Sequence, residues 1–391
     1  MGVLDGIRIL DLTRLLPGPY CTMLMGDYGA EVIKVEQPVI GDYGRNTDPF
    51  IEGYSTRHLV LNRNKKSVTL DLKSEEGKEI FKNLAKDADV IIEGFRPGVM
   101  NKLGLSYEQI SALNPGIIYC SITGYGQDGP YNQLAGHDIN YIGYSGVLGL
   151  IGEKNGQPIV PGVQIADIGG GSLMSLAGVL MALLHKERTG QGQYVDISMM
   201  DGVLSWLSGV AGGYLAAGDK PKRGETRLSG QKACYGVYET KDGKYLSVGA
   251  LEEKFWKRLC QLLEKEDFID RLSAPEEEQQ EMKQELQRIF LEKNQQEWLN
   301  LLKEDETCVG PVHDIDEVFA DPQVIAREMM IESEHPALGM LKQIGFPIKF
   351  STEKGDIRRN APDLGEHNHE LFGELGYSPA GIQQLQQQRI I

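Results

Sequence analysis

The first third of the chain alternates short runs rich in β-branched residues with longer runs of helical character. Residues 7–12, 31–35 and 117–123 have the composition of buried strands, and helical segments such as residues 74–87 separate runs of this kind. Strands that are joined by helices at this spacing usually pair in parallel. We therefore expect an α/β fold, with a Rossmann-like domain built on a mostly parallel sheet.

The pattern changes in the middle of the chain. Residues 167–186 and 199–217 are apolar, rich in small residues and predict two long buried helices. Further on, Asp242-Gly243 lies between two alternating apolar runs and predicts a β-hairpin, which densely charged helices follow. From these changes we predict, in chain order, a large Rossmann-like domain over residues 1–200, a linker helix and loop over 201–224, a small α+β domain over 225–330 and a C-terminal segment over 331–391.

Composition excludes several classes of function. The formal net charge is −16 and no long basic run occurs, so nucleic acid is not an expected partner. The five cysteines lie far apart without a CxxC pair, which favours reduced thiols over disulfides or a metal site. The N-terminus lacks the pattern of a signal peptide, and residues 169–184 are about a turn shorter than the ~20 residues of a membrane span. We expect a cytoplasmic protein without a membrane segment.

The usual nucleotide-binding motifs are absent from the sequence. Neither GxGxxG after the first strand nor GxxxxGK[ST] occurs, so a standard NAD or ATP site is not predicted. Arg96 follows a predicted strand, at the sheet edge where α/β proteins bind ligands, although it could also be a surface arginine. Arg63, Lys65 and Lys66 form a basic cluster before another strand. The cluster suits a polyphosphate ligand, but a solvated turn explains it equally well.

Three further residues are candidates for catalysis. His137 lies in the sequence Gly-His-Asp-Ile-Asn-Tyr, and Asp167 lies in Ala-Asp-Ile-Gly-Gly-Gly. Histidine changes charge near neutral pH, so an imidazole and a carboxylate could pass a proton across one carbon atom. Taken singly, each residue also has a structural explanation: His137 as a packed histidine, and Asp167 as the N-cap of the helix that follows it. Glu252, in Gly-Ala-Leu-Glu, could likewise be an ordinary acid at a helix start.

Several segments together resemble the class III (CaiB/BaiF-type) coenzyme A transferase superfamily, over nearly the full chain. The motifs that carry this resemblance are residues 4–14, 17–20 and 26–36, the Asn-Arg and Lys-Ser pairs within 62–67, and residues 93–98, 123–130, 188–193 and 361–367. The resemblance implies an interlinked homodimer in which each chain has a Rossmann-like large domain and a small domain, and in which the C-terminus returns to the large domain. It also implies that coenzyme A is bound as part of a thioester substrate, with no separate cofactor. Arg63, Lys65, Lys66, Arg96, Gly124 and Tyr125 are the residues expected to bind it.

Two branches of this superfamily differ at the site. The transferases use the aspartate that corresponds to Asp167 as a nucleophile, and they commonly have a residue other than histidine where this chain has His137. The α-methylacyl-CoA racemase branch has sequences similar to those around His137, Asp167 and Glu252, apart from Ile168, where an aromatic residue is frequent. In that branch the histidine and the aspartate are the two bases, and the glutamate supports the histidine across the subunit interface.

The sequence therefore predicts racemisation of 2-methylacyl-CoA thioesters through an enolate, with His137 and Asp167 on opposite faces of the α-carbon. Backbone N–H groups at the start of the Asp167 helix are expected to hold the enolate oxygen. Met199 and Met200 are candidates for the apolar surface beneath the acyl chain. Two alternatives stay open: transfer of coenzyme A to a carboxylate with Asp167 as nucleophile, and a catalytically silent acyl-CoA-binding protein.

Overall fold

The computed structural model describes residues 2–303 and 305–391. The β-strands, numbered in chain order, are β1 (Arg8–Asp11), β2 (Glu31–Glu36), β3 (Phe50–Ile51), β4 (Tyr54–Ser55), β5 (Lys65–Thr69), β6 (Val90–Glu93), β7 (Ile118–Thr123), β8 (Gln193–Ser198), β9 (Tyr235–Glu239), β10 (Tyr245–Gly249), β11 (Val309–Val312), β12 (Met330–His335) and β13 (Gly339–Ile344). The fold is mixed α/β, as the alternation of strands and helices predicts.

Helices connect most of these strands. The α-helices are α1 (Pro17–Asp27), α2 (Thr56–Leu61), α3 (Glu75–Lys86), α4 (Val99–Leu103), α5 (Tyr107–Ser111), α6 (Asp138–Tyr144), α7 (Val147–Leu150), α8 (Met174–Thr189), α9 (Met199–Leu204), α10 (Ser208–Ala217), α11 (Glu253–Leu262), α12 (Glu276–Phe290), α13 (Gln295–Leu302), α14 (Ile315–Val318), α15 (Pro322–Ala326), α16 (Asn368–Glu374) and α17 (Pro379–Gln387). Shorter 3₁₀ turns lie at Tyr43–Asn46, Ser205–Leu207 and Glu266–Arg271, and a π-helix at Ile165–Leu173 leads directly into α8.

Within the described residues, six strands form one parallel sheet in the order β5-β2-β1-β6-β7-β8. The chain moves outward from β1 to β2 and β5, and then returns to the other side of β1 to add β6, β7 and β8. The direction of winding therefore reverses between β1 and β6. At such a switch point the loops after the two strands diverge and leave a crevice at their carboxyl ends.

The described chain divides into two compact units. The first takes in residues 1–145, 162–206 and 326–391, and the second takes in residues 146–161 and 207–325. In the first unit, Leu371 and Phe372 of α16 and Ile382 of α17 are buried in the same core as Leu10 of β1. The C-terminal segment thus packs with the Rossmann-like part of the chain. Residues 146–161, which the sequence analysis placed in the large domain, belong to the second unit.

The second unit has a core of its own. Strands β9 and β10 form the hairpin predicted around Asp242-Gly243, and β11 extends it into an antiparallel sheet. Trp256 of α11, Phe290 of α12 and Trp298 of α13 pack into one cluster with Leu246 of that sheet. Because these helices and the sheet share one continuous apolar core, an α+β unit forms here.

The central helices differ from the prediction of long buried helices. The segment that begins near Asp167 opens as a π-helix, and Met181 of α8 is 70% exposed. In α10 no residue is buried, and Leu215 is 80% exposed. By length and composition, the run Ile165–Thr189 could also cross a membrane, with a mean hydropathy of 1.6. The core helix of a soluble protein meets the same criteria. The run therefore does not change the expectation, drawn from the sequence, that the protein has no membrane segment.

Candidate active site

A cavity of about 740 Å³ opens at the switch point of the sheet. The loop after β1 contributes Arg14 and Leu15 to its wall, and the loop after β6 contributes Arg96. His137 and Asp167, which are thirty residues apart in the sequence, line the same cavity. The two residues that the sequence analysis paired are therefore brought together at the sheet edge where α/β proteins bind ligands.

His137 stands at the start of α6, where it is the N-cap residue. Its backbone N–H group donates to Oδ1 of Asn140, 3.0 Å away, and this bond fixes the first turn of the helix. The residue is exposed at the cavity, and its backbone is extended, with φ −128°. The His137 side chain in turn faces the backbone N–H group of Asn140 in a reciprocal capping box, so this helix start positions both the main chain and the imidazole at the cavity.

Asp138 connects the two candidate residues, and the sequence analysis missed it. Its Oδ1 atom accepts hydrogen bonds from the backbone N–H groups of Ala166 (2.6 Å) and Asp167 (2.9 Å). One carboxylate therefore ties the start of α6 to the first turn of the π-helix. No local sequence signal identified this role, because Ala166 and Asp167 lie 28 and 29 residues further along the chain.

Asp167 lies in the first turn of the π-helix, but Gln164 is the N-cap residue. The prediction that Asp167 caps this helix is wrong, because Asp138 supplies the oxygen that accepts from the N–H groups there. Burial, and after it the negative charge of Asp138, raise the pKa of Asp167 to about 6, against the opposing effects of His137 and Arg57. At neutral pH Asp167 is therefore a carboxylate in most molecules and is protonated in the remainder.

The glycines after Asp167 serve close packing. A Cβ atom on Gly169 would lie 2.1 Å from the Trp206 ring, and one on Gly170 would lie 2.3 Å from the carbonyl oxygen of Met199. Only glycine allows the π-helix to approach the segment of α9 so closely. Met199 also lines the cavity, in agreement with its proposed place beneath an acyl chain, whereas Met200 donates its N–H group to the carbonyl oxygen of Gly124.

Gly124 and Tyr125 line the cavity beside His137. A Cβ atom on Gly124 would lie 2.3 Å from the ring of Tyr141, so glycine is required where this ring packs. The Tyr141 hydroxyl donates to the carbonyl oxygen of Gly136, 2.5 Å away, and its ring meets that of Tyr125 edge-on, with centroids 5.2 Å apart. These contacts fix the segment that precedes His137. Coenzyme A binding by Gly124 and Tyr125 stays a prediction.

The structure gives Arg63 and Lys65 a different role from the predicted one. The guanidinium group of Arg63 is buried against Asp27, and the ammonium group of Lys65 is fully buried 3.1 Å from Asp11. Lys65 also donates to the carbonyl oxygen of Pro19. Side chains that are committed to buried carboxylates have no free surface for a phosphate. We therefore withdraw Arg63 and Lys65 from the proposed coenzyme A ligands.

Lys66 is more exposed than Arg63 and Lys65 but is also paired with carboxylates. Its ammonium group pairs with Glu31 and Glu370, at 2.7 and 2.8 Å, and its side chain is 12% exposed. A phosphate would have to compete with two carboxylates for this lysine. Lys66 is therefore a weak candidate, and its binding of coenzyme A remains an untested prediction.

Arg96 is exposed on the cavity wall, as a ligand-binding arginine has to be. Glu93, at the end of β6, anchors the loop that carries it, because the Phe95 N–H group donates to Glu93 Oε2 over 2.7 Å. Burial raises the pKa of Glu93 to about 7. Arg14 approaches the loop from the other side of the switch point, with its guanidinium carbon 5.2 Å from the centroid of the Phe95 ring. Neither Glu93 nor Arg14 is among the site residues predicted from the sequence.

Glu252 belongs to the second unit, where it is exposed as the N-cap residue of α11. Its carbonyl oxygen accepts from the N–H groups of Phe255 and Trp256. Glu252 is thus an acid at a helix start, which is the structural explanation that its sequence left open. Its support of His137 stays a prediction of the resemblance.

Known proteins that are similar to this chain include one named as a CoA-transferase and one named as a racemase. A human protein named succinyl-CoA:glutarate CoA-transferase is 38% identical over 98% of this chain and 88% of its own length. Human alpha-methylacyl-CoA racemase is 35% identical over 99% of this chain and 97% of its own length. The crystal structure of a CAIB/BAIF family protein from Brucella suis superimposes with a TM-score of 0.85 and 34% identity, covering 96% of this chain and 99% of that one.

The family model for CoA-transferase family III matches residues 4–368, a span that takes in the whole second unit, most of the first and every candidate residue discussed above. This match agrees with the winding of the sheet and with the cavity at its switch point. The chain belongs to CoA-transferase family III.

Proposed function

We propose that the protein transfers coenzyme A from an acyl-CoA thioester to a free carboxylic acid, with Asp167 as the nucleophile. The observation that carries this proposal is the place of Asp167 in the cavity, as a carboxylate that is largely ionised at neutral pH. The human protein named as a succinyl-CoA:glutarate CoA-transferase supports it, at 38% identity against 35% for the human racemase. From the sequence alone we expected racemisation, so the proposed transfer reaction replaces that expectation as the preferred function.

The proposed reaction proceeds through covalent intermediates on the carboxyl group of Asp167. An oxygen of Asp167 attacks the thioester carbonyl carbon, the C–S bond breaks, and a mixed anhydride and the coenzyme A thiolate result. The thiolate then attacks the Asp167 carbonyl, which releases the first acid and leaves an aspartyl-CoA thioester. Attack by the acceptor carboxylate forms a second anhydride. The returning thiolate converts this anhydride into the new acyl-CoA and the free Asp167 carboxylate.

The hydrogen bonds of Asp138 change one part of the predicted mechanism. The N–H groups of Ala166 and Asp167 already donate to Asp138, and the N–H group of Ile168 donates to the Gln164 carbonyl oxygen. Donors that have a protein acceptor cannot also hold an oxyanion without losing that bond. We therefore no longer assign the oxyanion to these groups at the start of the π-helix. Asp138 instead holds the backbone of the proposed nucleophile in place.

Racemisation of a 2-methylacyl-CoA is the second candidate, and His137 is the observation that favours it. Two-base proton transfer requires one group on each side of the α-carbon, and His137 and Asp167 line one cavity. The pKa of Asp167 near 6 suits a group that gains and loses a proton during turnover. The human racemase relative supports the same assignment.

One pair of assays separates the two reactions. Incubation with succinyl-CoA and glutarate should yield glutaryl-CoA, whereas a 2-methylacyl-CoA in D₂O without an acceptor should gain little α-deuterium. Rapid deuterium exchange without any transfer would reject the transferase proposal and support the racemase. A protein that does neither with a series of acids and branched thioesters would match the silent binding protein.

Variants at the two residues make the same distinction. For a transferase, Asp167→Ala abolishes transfer while His137→Ala keeps much of it, and hydroxylamine inactivates the wild type during turnover by trapping the acylated Asp167. For a racemase, both substitutions abolish exchange. Equal and complete loss of transfer in both variants would contradict the expectation that transfer does not require His137.

We retain two proposals from the resemblance, an interlinked homodimer and support of His137 by Glu252. The Glu252→Gln variant keeps the size of the side chain and removes its charge. For a racemase we expect a large fall in the rate of deuterium exchange with little effect on folding, whereas for a transferase the variant should keep much of its transfer activity, as His137→Ala does. A wild-type rate of exchange in this variant would remove Glu252 from the proposed site.

A further inference from the structure

Leu15 is an unusual residue on the cavity wall. Its φ angle is +66°, a left-handed conformation that costs free energy for any residue with a Cβ atom. Its side chain is 37% exposed, whereas the neighbouring Leu12 and Leu16 are 2% and 9% exposed. A large apolar side chain is thus held towards the cavity in a strained backbone.

Two other loops at the same sheet edge use glycine where the backbone turns in this way, whereas the loop after β2 has Val39, with φ +69°, at a position outside the cavity wall. Gly98 follows β6 and Gly126 follows β7, with φ angles of +86° and +87°. Glycine adopts such angles without strain. Leu15 differs from Val39 because it lines the cavity, which points to a use for the side chain itself.

Buried charges keep Leu15 in this conformation. Its N–H group donates to Asp42 Oδ1 over 3.0 Å, and Asp42 Oδ2 lies 2.8 Å from Lys34 Nζ. Lys34 is fully buried and also donates to the carbonyl oxygen of Thr13, in the same loop. Burial alone would raise the pKa of Asp42, but the charge of Lys34 and the hydrogen bonds lower it to about 2. The loop is fixed on both sides of Arg14 by an ion pair that persists at neutral pH.

The same carboxylate fixes a second segment of the wall. Asp42 Oδ1 accepts from the N–H group of Gly44 over 2.8 Å, and Asp42 is the N-cap residue of the turn that carries Tyr43. Tyr43 lines the cavity together with Leu15. A strained residue persists only where its surroundings determine its conformation, and such residues cluster at ligand sites.

We infer that Leu15 is a specificity-determining residue of this cavity, whose side chain limits the space for the acyl group of the bound thioester. Asp42 and Lys34 are positioning residues for it. The inference rests on the proposed function in one respect, namely that the cavity receives an acyl-CoA. Because Leu15 lines the cavity together with Asp167, the proposed nucleophile for the thioester carbonyl, the inference adds that Leu15 meets the acyl group and not the coenzyme.

The test compares the affinities of coenzyme A, succinyl-CoA and the longer adipyl-CoA by calorimetry. It is made in the Asp167→Asn background, so that turnover does not consume the ligands. Leu15→Ala and Leu15→Gly should both shift the ratio of the two acyl-CoA dissociation constants by about 10-fold in favour of adipyl-CoA. The affinity for coenzyme A itself should stay within about twofold of the background value.

The strain has a separate readout. Both variants lose the side chain beyond Cβ, but only Leu15→Gly relieves the φ angle, so its Tm should exceed that of Leu15→Ala by roughly 2 °C. Glu264, an exposed residue of the second unit with φ +55°, provides the control. Glu264→Gly and Glu264→Ala should show a similar difference in Tm without any change in ligand preference.

An unchanged ratio in both Leu15 variants would overturn the inference. Equal loss of affinity for coenzyme A and for both thioesters would also overturn it, because Leu15 would then contact the coenzyme. These outcomes are independent of the chemistry. A wild-type protein without transfer activity would contradict the proposed function, while the ratio of dissociation constants would still decide the role of Leu15.

Discussion

The basic cluster of Arg63, Lys65 and Lys66 and the single residue Arg96 look alike in the sequence but differ in burial in the structure. Arg63, Lys65 and Lys66 lie at or before the amino end of β5, whereas Arg96 follows the carboxyl end of β6. Arg63 and Lys65 are buried in ion pairs with Asp27 and Asp11, while Arg96 is exposed on the cavity wall. All these residues carry a positive charge, so charge alone does not show which of them faces a ligand. Their position at the amino or the carboxyl end of a strand does.

The physical reason is the geometry of a parallel sheet. The carboxyl ends of its strands meet at one edge, where the loops diverge at the switch point and leave a cavity. A cation at that edge has solvent and ligands as partners. Lys65, by contrast, lies within the sheet layer, where it is stable as a charged group only because carboxylates and carbonyl groups surround it. Cavity charges should therefore affect activity, and buried charges should affect stability.

The largest effect is expected for the cavity carboxylate. Asp167→Asn removes the nucleophile, or one of the two bases, and should lower the rate of transfer or exchange by 10³-fold or more, an order of magnitude typical of residues that act on the reacting bonds. Rate measurements with succinyl-CoA and glutarate, or by deuterium exchange, test this. Asp128→Asn, at an exposed position outside the cavity wall, is the control and should keep full activity. A variant Asp167→Asn with more than a tenth of the wild-type rate would remove Asp167 from both mechanisms.

The next effect concerns the buried group. Lys65→Met leaves Asp11 as a buried carboxylate without its closest counter-charge and should reduce the free energy of unfolding by about 3–5 kcal/mol. Lys66→Met is the matched control, because its carboxylate partners are 34% and 49% exposed, and it should cost no more than about 1 kcal/mol. Urea unfolding of both variants measures the difference. Similar losses at the two positions would show that burial does not separate these neighbouring lysines.

Arg96 should affect binding and leave folding unchanged. A charge-assisted contact with a phosphate is lost in Arg96→Ala, so coenzyme A should bind more weakly by roughly 1.5–3 kcal/mol. Calorimetry with coenzyme A measures this change, and the thermal unfolding curve should match that of the wild type. Unchanged affinity would make Arg96 an ordinary surface arginine, which is the alternative that its sequence context left open.

The smallest effect is the stability gained when the cavity charge is removed. Because the folded pKa of Asp167, about 6, exceeds its ordinary value of 3.8, ionisation opposes folding. The stability that comes from the protonated form is present below pH 4 and is lost as the pH rises through 6. Asp167→Asn should therefore unfold like the wild type at pH 4 and be more stable at pH 7, by about 1–2 kcal/mol after allowance for partial solvent screening. Unfolding curves at the two pH values test this, and a difference that is independent of pH would contradict the assigned cause.

Local sequence patterns were sufficient to predict much of the fold. The alternation of strands and helices predicted the parallel sheet, and Asp242-Gly243 predicted the hairpin of β9 and β10. These features depend on periodicity and turn chemistry, which neighbouring residues determine. The π-helix at Ile165–Leu173 and the exposed faces of α8 and α10 were not predicted, because composition alone does not show which apolar surface the chain buries.

At the site, the sequence by itself determined which residues have suitable chemistry, among them His137, Asp167 and Arg96. Only the tertiary structure decided which of them share a cavity, since that depends on the order in which the strands are wound around β1. It also decided that Asp138 binds the backbone of Asp167, that Lys65 is neutralised by Asp11, and that Leu15 is held in a left-handed conformation. Each of these features depends on a contact between residues that lie far apart in the chain. The physical reason is that hydrogen bonds and ion pairs of buried groups are satisfied in three dimensions, by whichever partner the packing brings near.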